Sequence, residues 1–172
     1  MRVAIVTETW PPEINGVALT VQTLARGLSR LGHKVEVIRP RPAQQDVAEV
    51  PGEFDELLVS GVALPRYPGL RFGITTQSRL LRRWRETRPQ AVYVATEGPL
   101  GHSALSAARR FGIPACTGFH TRFDDFVGHY GFPWLTPLVF AGMRRFHNRA
   151  DATLVPTAEL SKYLGENGFR NV

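Results

Sequence analysis

The stretch TETWPPEINGV, residues 7–17, places a Pro-Pro pair and an Asn-Gly step between an apolar run and a segment with helical spacing. The amino end of a helix exposes backbone N–H groups without partners and carries roughly half a positive charge. A glycine at that point lets an anion approach the bare backbone. Asn15 and Gly16 are therefore predicted to form a helix start that binds phosphate.

Further polar groups follow the other apolar runs of the chain. Glu8 follows the first run, Glu97 follows AVYVAT, and His120 follows IPACTGF, with Arg122 and Asp125 close behind. The carboxyl ends of parallel strands lie at one edge of a sheet, where ligands collect, so these side chains are expected to converge on one rim. Carboxylates at such a rim also commonly cap helices, and that alternative stays open for Glu8, Glu97 and Asp125.

An alternation of strands and helices must position these groups. The apolar runs are continuous and rich in β-branched residues, as in strands buried on both faces. Apolar residues at helical spacing, such as Val17, Val21, Leu24 and Leu28, lie between them. The sequence predicts an α/β domain with a mostly parallel sheet covered on both faces. The predicted strands are 2–7, 33–40, 56–65, 70–73, 91–96, 113–119 and 152–157, and the predicted helices are 17–31, 75–88, 98–112, 133–150 and 158–168.

Length and composition set broad limits. A chain of 172 residues fits one domain, 43% of it is hydrophobic and 21% is charged, as in globular proteins. No apolar run reaches the ~18 residues of a membrane-spanning helix, and the opening residues are too polar for a signal peptide. The single Cys116 excludes an internal disulfide and fits a buried apolar position in a reducing compartment. The expected location is the cytoplasm.

The net charge of +6 is carried almost wholly by arginine, whose planar fork binds two oxygens of a phosphate at once. A nucleotide, a nucleic acid and an anionic membrane all remain open as partners on this ground. Other classes fall away, because the chain has no Gly-x-Gly-x-x-Gly after its first strand, no phosphate-binding Gly-Lys-Ser/Thr, no nucleophile elbow and no metal-binding Cys pair. No metal site is predicted.

Three motifs in order resemble one family. PPEINGVALTVQTLARGLSRLGHKVEVI resembles the amino-terminal signature of the family-4 retaining glycosyltransferases, and ATEGPLGHSALSAARRFGIPACTGFHTRFDDFVGHYG resembles the elements that follow it. The likeness continues through RADATLVPTAELSKYLGENGFRNV and covers essentially the whole chain. Within the family the chain looks most like the branch of lipid-directed α-mannosyltransferases and sulfoquinovosyl- or glucosyl-type relatives.

The resemblance implies a fold and a substrate class. Residues 1–172 would form the acceptor-side Rossmann-like domain, a three-layer α/β/α unit that is one half of a GT-B fold, and a carboxyl-terminal domain outside this chain would bind the donor. The donor would be a nucleotide-diphosphate sugar, GDP-mannose or a UDP-hexose. The acceptor would be a lipid or a glycan. No tightly bound cofactor and no nucleic-acid partner are expected.

The resemblance also implies roles for residues. Asn15 and Gly16 would bind the leaving diphosphate, and His120 would act in catalysis close to the reacting carbon of the donor sugar. The candidates for holding the acceptor are Glu8, Glu97, Arg122 and Asp125. Retention is usually explained by attack on the front face with help from the donor phosphate, so no protein nucleophile is expected. The histidines at 129 and 147 are interpreted as structural.

An aromatic and apolar stretch precedes two arginines. Phe132, Trp134, Arg144 and Arg145 are predicted to contact an anionic membrane on its inner, cytoplasmic face, and burial against the sheet or a second domain is the alternative. For the whole chain, the runner-up hypotheses are a non-catalytic basic module that binds anions or nucleic acid, and an epimerase of nucleotide sugars with the same two-domain fold.

Overall fold

A computed structural model shows seven strands in a single sheet. It describes residues 1–13, 15–42, 53–63, 71–75, 77–120 and 136–172. The strands are β1 (Arg2–Val6), β2 (Lys34–Pro40), β3 (Asp55–Ala63), β4 (Arg71–Ile74), β5 (Ala91–Val94), β6 (Ala115–Gly118) and β7 (Ala152–Leu154). In the order β4-β3-β2-β1-β5-β6-β7, all neighbours pair in parallel except β3 and β4, which are antiparallel.

Five helices in the described part of the chain cover the sheet. On one face, Trp84, Leu105 and Phe146 pack into a core with β1, β5 and the neighbouring strands. On the other face, Val21 and Ala25 pack against Trp10 and the opposite side of β1 and β2. The arrangement is therefore three layers, α/β/α. The helices are α1 (Gly16–Arg30), α2 (Gln77–Glu86), α3 (Pro99–Phe111), α4 (Thr136–His147) and α5 (Ala158–Glu166).

Local sequence signals fix the helix ends that matter for the rim. Asn15 caps α1, and Thr157 caps α5 through its hydroxyl, which accepts the N–H of Leu160. Pro99 begins α3, where a missing N–H costs nothing, and Gly112 ends it in the left-handed conformation with φ of 62°. These caps place the amino ends of α1, α3 and α5 beside the carboxyl ends of the strands.

The predicted order of strands and helices is confirmed, with shorter elements than expected. The last strand ends at Leu154 and not at residue 157, because Pro156 has no N–H with which to continue the ladder. Helix α4 is described from Thr136, and the first residues predicted for it lie outside the described residues. No helix in the ranges given above is long and apolar enough to span a membrane.

The three-layer packing makes a stability prediction. Leu105 is fully buried between α3 and the sheet, whereas Leu19 on α1 is 52% exposed. Replacing Leu105 with Ala leaves a cavity and is expected to lower the free energy of unfolding by about 2–5 kcal/mol. The same change at Leu19 serves as the matched control and is expected to stay within about 0.5 kcal/mol. Urea unfolding of both variants measures the difference, and equal losses would contradict the layer assignment.

Candidate functional site

Three of the residues predicted from strand ends lie together at one edge of the sheet. Glu8 follows β1, Glu97 follows β5, and His120 follows β6, and these three strands are adjacent in the sheet. The charge of Glu97 acts on both of the others, since it contributes to the pKa of Glu8 and to that of His120. The predicted rim therefore lies at the carboxyl ends of the adjacent strands β1, β5 and β6. Arg122, Asp125, Phe132 and Trp134 lie outside the described residues.

Glu8 is buried and forms the cap of α3. Its Oε1 accepts the N–H of Leu100 at 3.0 Å, at a helix start where Gly98 offers no side chain. A Cβ on Gly98 would lie 1.7 Å from Oε2 of Glu8, so the carboxylate rests against the bare Cα. Burial raises the pKa of Glu8 to about 7, against hydrogen bonds from the backbone of Leu100 and Gly73 that lower it, and Glu97 adds a smaller rise. Glu8 thus joins β1 to α3, and its charge changes near neutral pH.

Asn15 and Gly16 form the start of α1. The side chain of Asn15 accepts the N–H of Ala18 at 2.8 Å and donates to the hydroxyl of Thr9, which in turn donates to Glu13 at 2.7 Å. Both polar atoms of the Asn15 side chain therefore help to hold the loop. A Cβ built on Gly16 meets no atom of the described residues within 4 Å, so among these residues nothing covers the first turn of the helix at this point. Helix geometry leaves the N–H groups at this turn without partners inside the helix.

His120 is held at the end of β6 by a buried tyrosine. Its Nε2 lies 2.6 Å from the hydroxyl of Tyr93, and the two rings meet edge to face. Burial lowers the pKa of His120, and the charge of Glu97 opposes that change while His147 adds to it. A lowered pKa keeps the imidazole neutral at pH 7. A neutral ring can both donate and accept one hydrogen bond at the rim.

Glu97 is anchored by a chain of buried polar groups. Its Oε1 lies 3.2 Å from Nε2 of His147, whose Nδ1 lies 2.8 Å from the hydroxyl of Thr117. That hydroxyl lies 3.2 Å from the hydroxyl of Thr153. His147 is completely buried, whereas the side chain of Glu97 keeps 19% of its surface exposed. The carboxylate of Glu97 is therefore held by buried His147 and remains partly exposed to solvent.

Sequence reasoning missed two of these residues, Tyr93 and Thr117, which lie inside strands. His147, which ends α4, agrees with the prediction of a structural histidine, because it is completely buried and contacts Thr117 and Glu97. The available signal was a polar side chain within an otherwise apolar strand, because a buried polar group needs a partner. The partners themselves lie 27 to 50 residues away along the chain.

The two arginines predicted to contact a membrane lie on α4. Both Arg144 and Arg145 are exposed, and a guanidinium N–H of Arg144 donates to the carbonyl of Asn167 at 3.2 Å. Arg145 also contributes to the lowered pKa of Arg149, after burial and Arg109. Among the described residues, no group of three or more His, Cys, Asp or Glu is placed to hold a metal ion.

Comparisons with known proteins agree with this fold. The profile Glycosyltransferase Family 4 matches residues 14–172. A GDP-mannose-dependent alpha-mannosyltransferase of Mycobacterium tuberculosis is 34% identical, over all of this chain and 46% of the relative. Alpha-monoglucosyldiacylglycerol synthase of Acholeplasma laidlawii is 29% identical, over 93% of this chain and 42% of the relative. The chain therefore spans less than half the length of these curated relatives.

A solved structure supports the same architecture. Sucrose-phosphate synthase from Thermosynechococcus elongatus matches with a TM-score of 0.66 at 12% identity, over 96% of this chain and 44% of that one. At that identity the likeness concerns the fold alone. The predicted three-layer domain, one half of a GT-B fold, is confirmed.

The buried Glu8 makes a prediction about pH. Because its pKa is raised from 4.5 to about 7, the folded state binds this proton more tightly than the unfolded state. The resulting stability is fully present below pH 4.5 and is lost as the pH rises through about 7. Glu8→Gln keeps the shape without the charge. Between pH 5 and pH 8 the wild type should therefore lose roughly 2–3 kcal/mol relative to this variant in urea unfolding.

The difference between the two proteins removes the contribution of all other titrating groups. Parallel stability curves for the wild type and Glu8→Gln across this pH range would show that the pKa of Glu8 is not raised in the folded state.

Proposed function

Because the chain belongs to glycosyltransferase family 4, we propose that it is the acceptor-side half of a retaining glycosyltransferase. The enzyme transfers a hexose from a nucleotide-diphosphate sugar to a lipid or glycan acceptor. A carboxyl-terminal domain that binds most of the donor is part of the proposal, and the acceptor-side domain without it is expected to be inactive. The proposal rests above all on the open, capped helix start at Gly16, on the same edge of the sheet as His120 and Glu97.

The start of α1 would receive the diphosphate of the donor. Negative charge grows on the leaving diphosphate as the glycosidic bond breaks, and fixed N–H groups aimed at that charge stabilise the transition state. Asn15 supports this role indirectly, since its side chain fixes the loop through Ala18 and Thr9. Gly16 supports it by leaving the space above the helix empty. The phosphate of the donor would then take the proton of the acceptor hydroxyl.

His120 would contact the donor sugar near the reacting carbon. A neutral imidazole suits this place, because a ring that is already protonated would compete with the sugar for the diphosphate. The lowered pKa of His120 supports a neutral ring. Its contribution would be a hydrogen bond that orients the sugar for attack on the front face.

The acceptor would lie against Glu97. Its carboxylate is held by His147 on one side and is partly exposed on the other, which suits a hydrogen bond from an acceptor hydroxyl. Glu8 lies deeper and would act on the acceptor through the position of α3. Arg122 and Asp125 complete the proposed acceptor side.

The donor proposed first is GDP-mannose, with a UDP-hexose as the alternative. The choice follows the relative that is 34% identical and is named for its dependence on GDP-mannose. A lipid acceptor follows the second relative, whose name specifies a diacylglycerol product.

The enzyme would work as a peripheral protein on the cytoplasmic face of an anionic membrane. Helix α4 contains no acidic residue, ends with Arg144 and Arg145, and exposes 70% of Leu138. Basic and apolar side chains together favour a surface of anionic lipid. Phe132 and Trp134 would add to this surface.

Gly16 offers a direct test of the diphosphate site. Gly16→Ala adds a methyl group where the protein itself has room, so the fold should tolerate it, whereas a bound diphosphate would clash with it. We expect the intact protein to release GDP from GDP-mannose in the presence of membrane lipid, and the variant to lose at least about tenfold of that rate. The measurement is free GDP or UDP released from each sugar conjugate.

Gly27→Ala is the matched control, because it lies on the same helix and a Cβ there also meets open space. It should leave release unchanged. Equal rates in both variants would remove the diphosphate from this helix start. No release from any nucleotide sugar by the wild type would favour the non-catalytic anion-binding module instead.

Charge reversal on α4 tests the membrane proposal. Arg144→Glu combined with Arg145→Glu should weaken sedimentation with phosphatidylglycerol vesicles by about tenfold or more, since each basic residue near such a surface contributes about 1 kcal/mol. Arg30→Glu combined with Lys34→Glu makes the same change of net charge on the far side of the molecule. If both pairs reduce vesicle binding equally, α4 is not the contact surface.

A further inference from the structure

The hydrogen bond between Tyr93 and His120 passes over a bare backbone atom. A Cβ on Gly118 would lie 2.2 Å from the hydroxyl oxygen of Tyr93 and 2.4 Å from Nε2 of His120. No real Cβ packs so close to either atom. The contact of 2.6 Å between the two side chains therefore depends on the glycine at residue 118.

The direction of this hydrogen bond follows from burial. Tyr93 is 6% exposed, and burial raises the pKa of its hydroxyl, so that the group keeps its proton. Within the described ranges, the only group bonded to this hydroxyl is Nε2 of His120. If Nε2 carried a hydrogen, the buried proton of Tyr93 would have no acceptor among the described residues, which is costly. The hydroxyl therefore donates, and Nε2 accepts.

A single tautomer of His120 results. A neutral imidazole carries one hydrogen, and when Nε2 accepts a bond that hydrogen must lie on Nδ1. The surrounding charges do not require a hydrogen on Nε2. Glu97 and His147 affect the pKa of His120, but among the residues described neither forms a hydrogen bond with it. Nδ1 becomes the donor that the ring offers to a ligand.

We propose that Tyr93, reaching His120 across the bare Cα of Gly118, is a positioning residue that fixes the imidazole as its Nδ1–H tautomer and so makes His120 a hydrogen-bond donor to the sugar. The inference rests on the proposed function for its last step, the contact with sugar. The tautomer itself depends on this chain alone. Tyr93 touches neither substrate nor the reacting atoms and acts through His120.

The tautomer can be observed directly by NMR. In the intact protein labelled with ¹⁵N at histidine, and with His120→Gln used to assign the signals, Nε2 of the wild type should show the shift of an unprotonated ring nitrogen at pH 7.5. In Tyr93→Phe the two tautomers should mix. The pKa of His120 should also rise in this variant, because the hydrogen bond from Tyr93 favoured the neutral ring.

Gly118→Ala provides an independent route to the same state. It leaves both side chains chemically intact but separates them, so it should give the same spectral change as Tyr93→Phe. The matched controls are Tyr163→Phe and Gly165→Ala on α5, which should leave the His120 signals in place. A His120 spectrum that is identical in the wild type, Tyr93→Phe and Gly118→Ala would overturn the proposal, as would a protonated Nε2 in the wild type.

Sugar transfer separates this inference from the proposed function. If both hold, Tyr93→Phe should lower kcat about tenfold with little change in the KM for the donor. A smaller folded fraction would also lower the apparent kcat at constant KM, so the rate is expressed per folded protein, measured from the amide spectrum of the same sample. A changed tautomer with unchanged transfer would leave Tyr93 as the residue that fixes the ring and would remove His120 from the reaction.

Discussion

The carboxylate of Glu8 is the contact on which the rim depends. It lies at the end of the central strand β1, receives the first free N–H of α3, and rests on the bare Cα of Gly98. Glu8 also donates its own N–H to the hydroxyl of Thr96 at 3.0 Å, which ties the end of β1 to the end of β5. This one residue therefore sets the distance between the loop that leads to α1 and the turn that carries Glu97. A negative group at a helix start is favourable, but burial makes the charge costly and outweighs the hydrogen bonds, which is why the pKa of Glu8 is raised to about 7.

Three glycines contribute to the shape of the rim because they have no side chain. Gly98 makes room for a carboxylate of the protein, Gly118 makes room for a hydrogen bond, and at Gly16 no residue that the structure describes fills the space. The first two positions are occupied from within, so their glycines serve the fold. The third opens onto the start of a helix, where the backbone favours an anion. Open space alone is not distinctive, because Gly27 has it too, and what sets Gly16 apart is its place at the helix start.

Much of the fold could be predicted from the sequence, because its signals are local. Continuous apolar runs, helical spacing from Val17 to Leu28, and the Asn15 cap all act within a few residues. The rim followed from topology, since strands that run parallel must end at one edge. The links behind the rim could not be predicted. His147 reaches Glu97 across 50 residues, and Tyr93 reaches His120 across 27, and spacing along the chain does not encode such contacts. The burial of Glu8 was likewise open, because a carboxylate at a strand end can face solvent or cap a helix.

The proposed function requires a nucleotide sugar to bind at the carboxyl edge of the sheet, over the start of α1 and beside His120. Mapping of backbone amide shifts by NMR, as GDP-mannose is added to the intact protein, locates the ligand without requiring turnover. We expect the largest shifts at Gly16, Val17 and His120, with none at Gly27. Shifts that cluster instead at the opposite edge of the sheet, around the pocket lined by Arg2, Lys34 and Thr87, would rule out binding at the carboxyl edge.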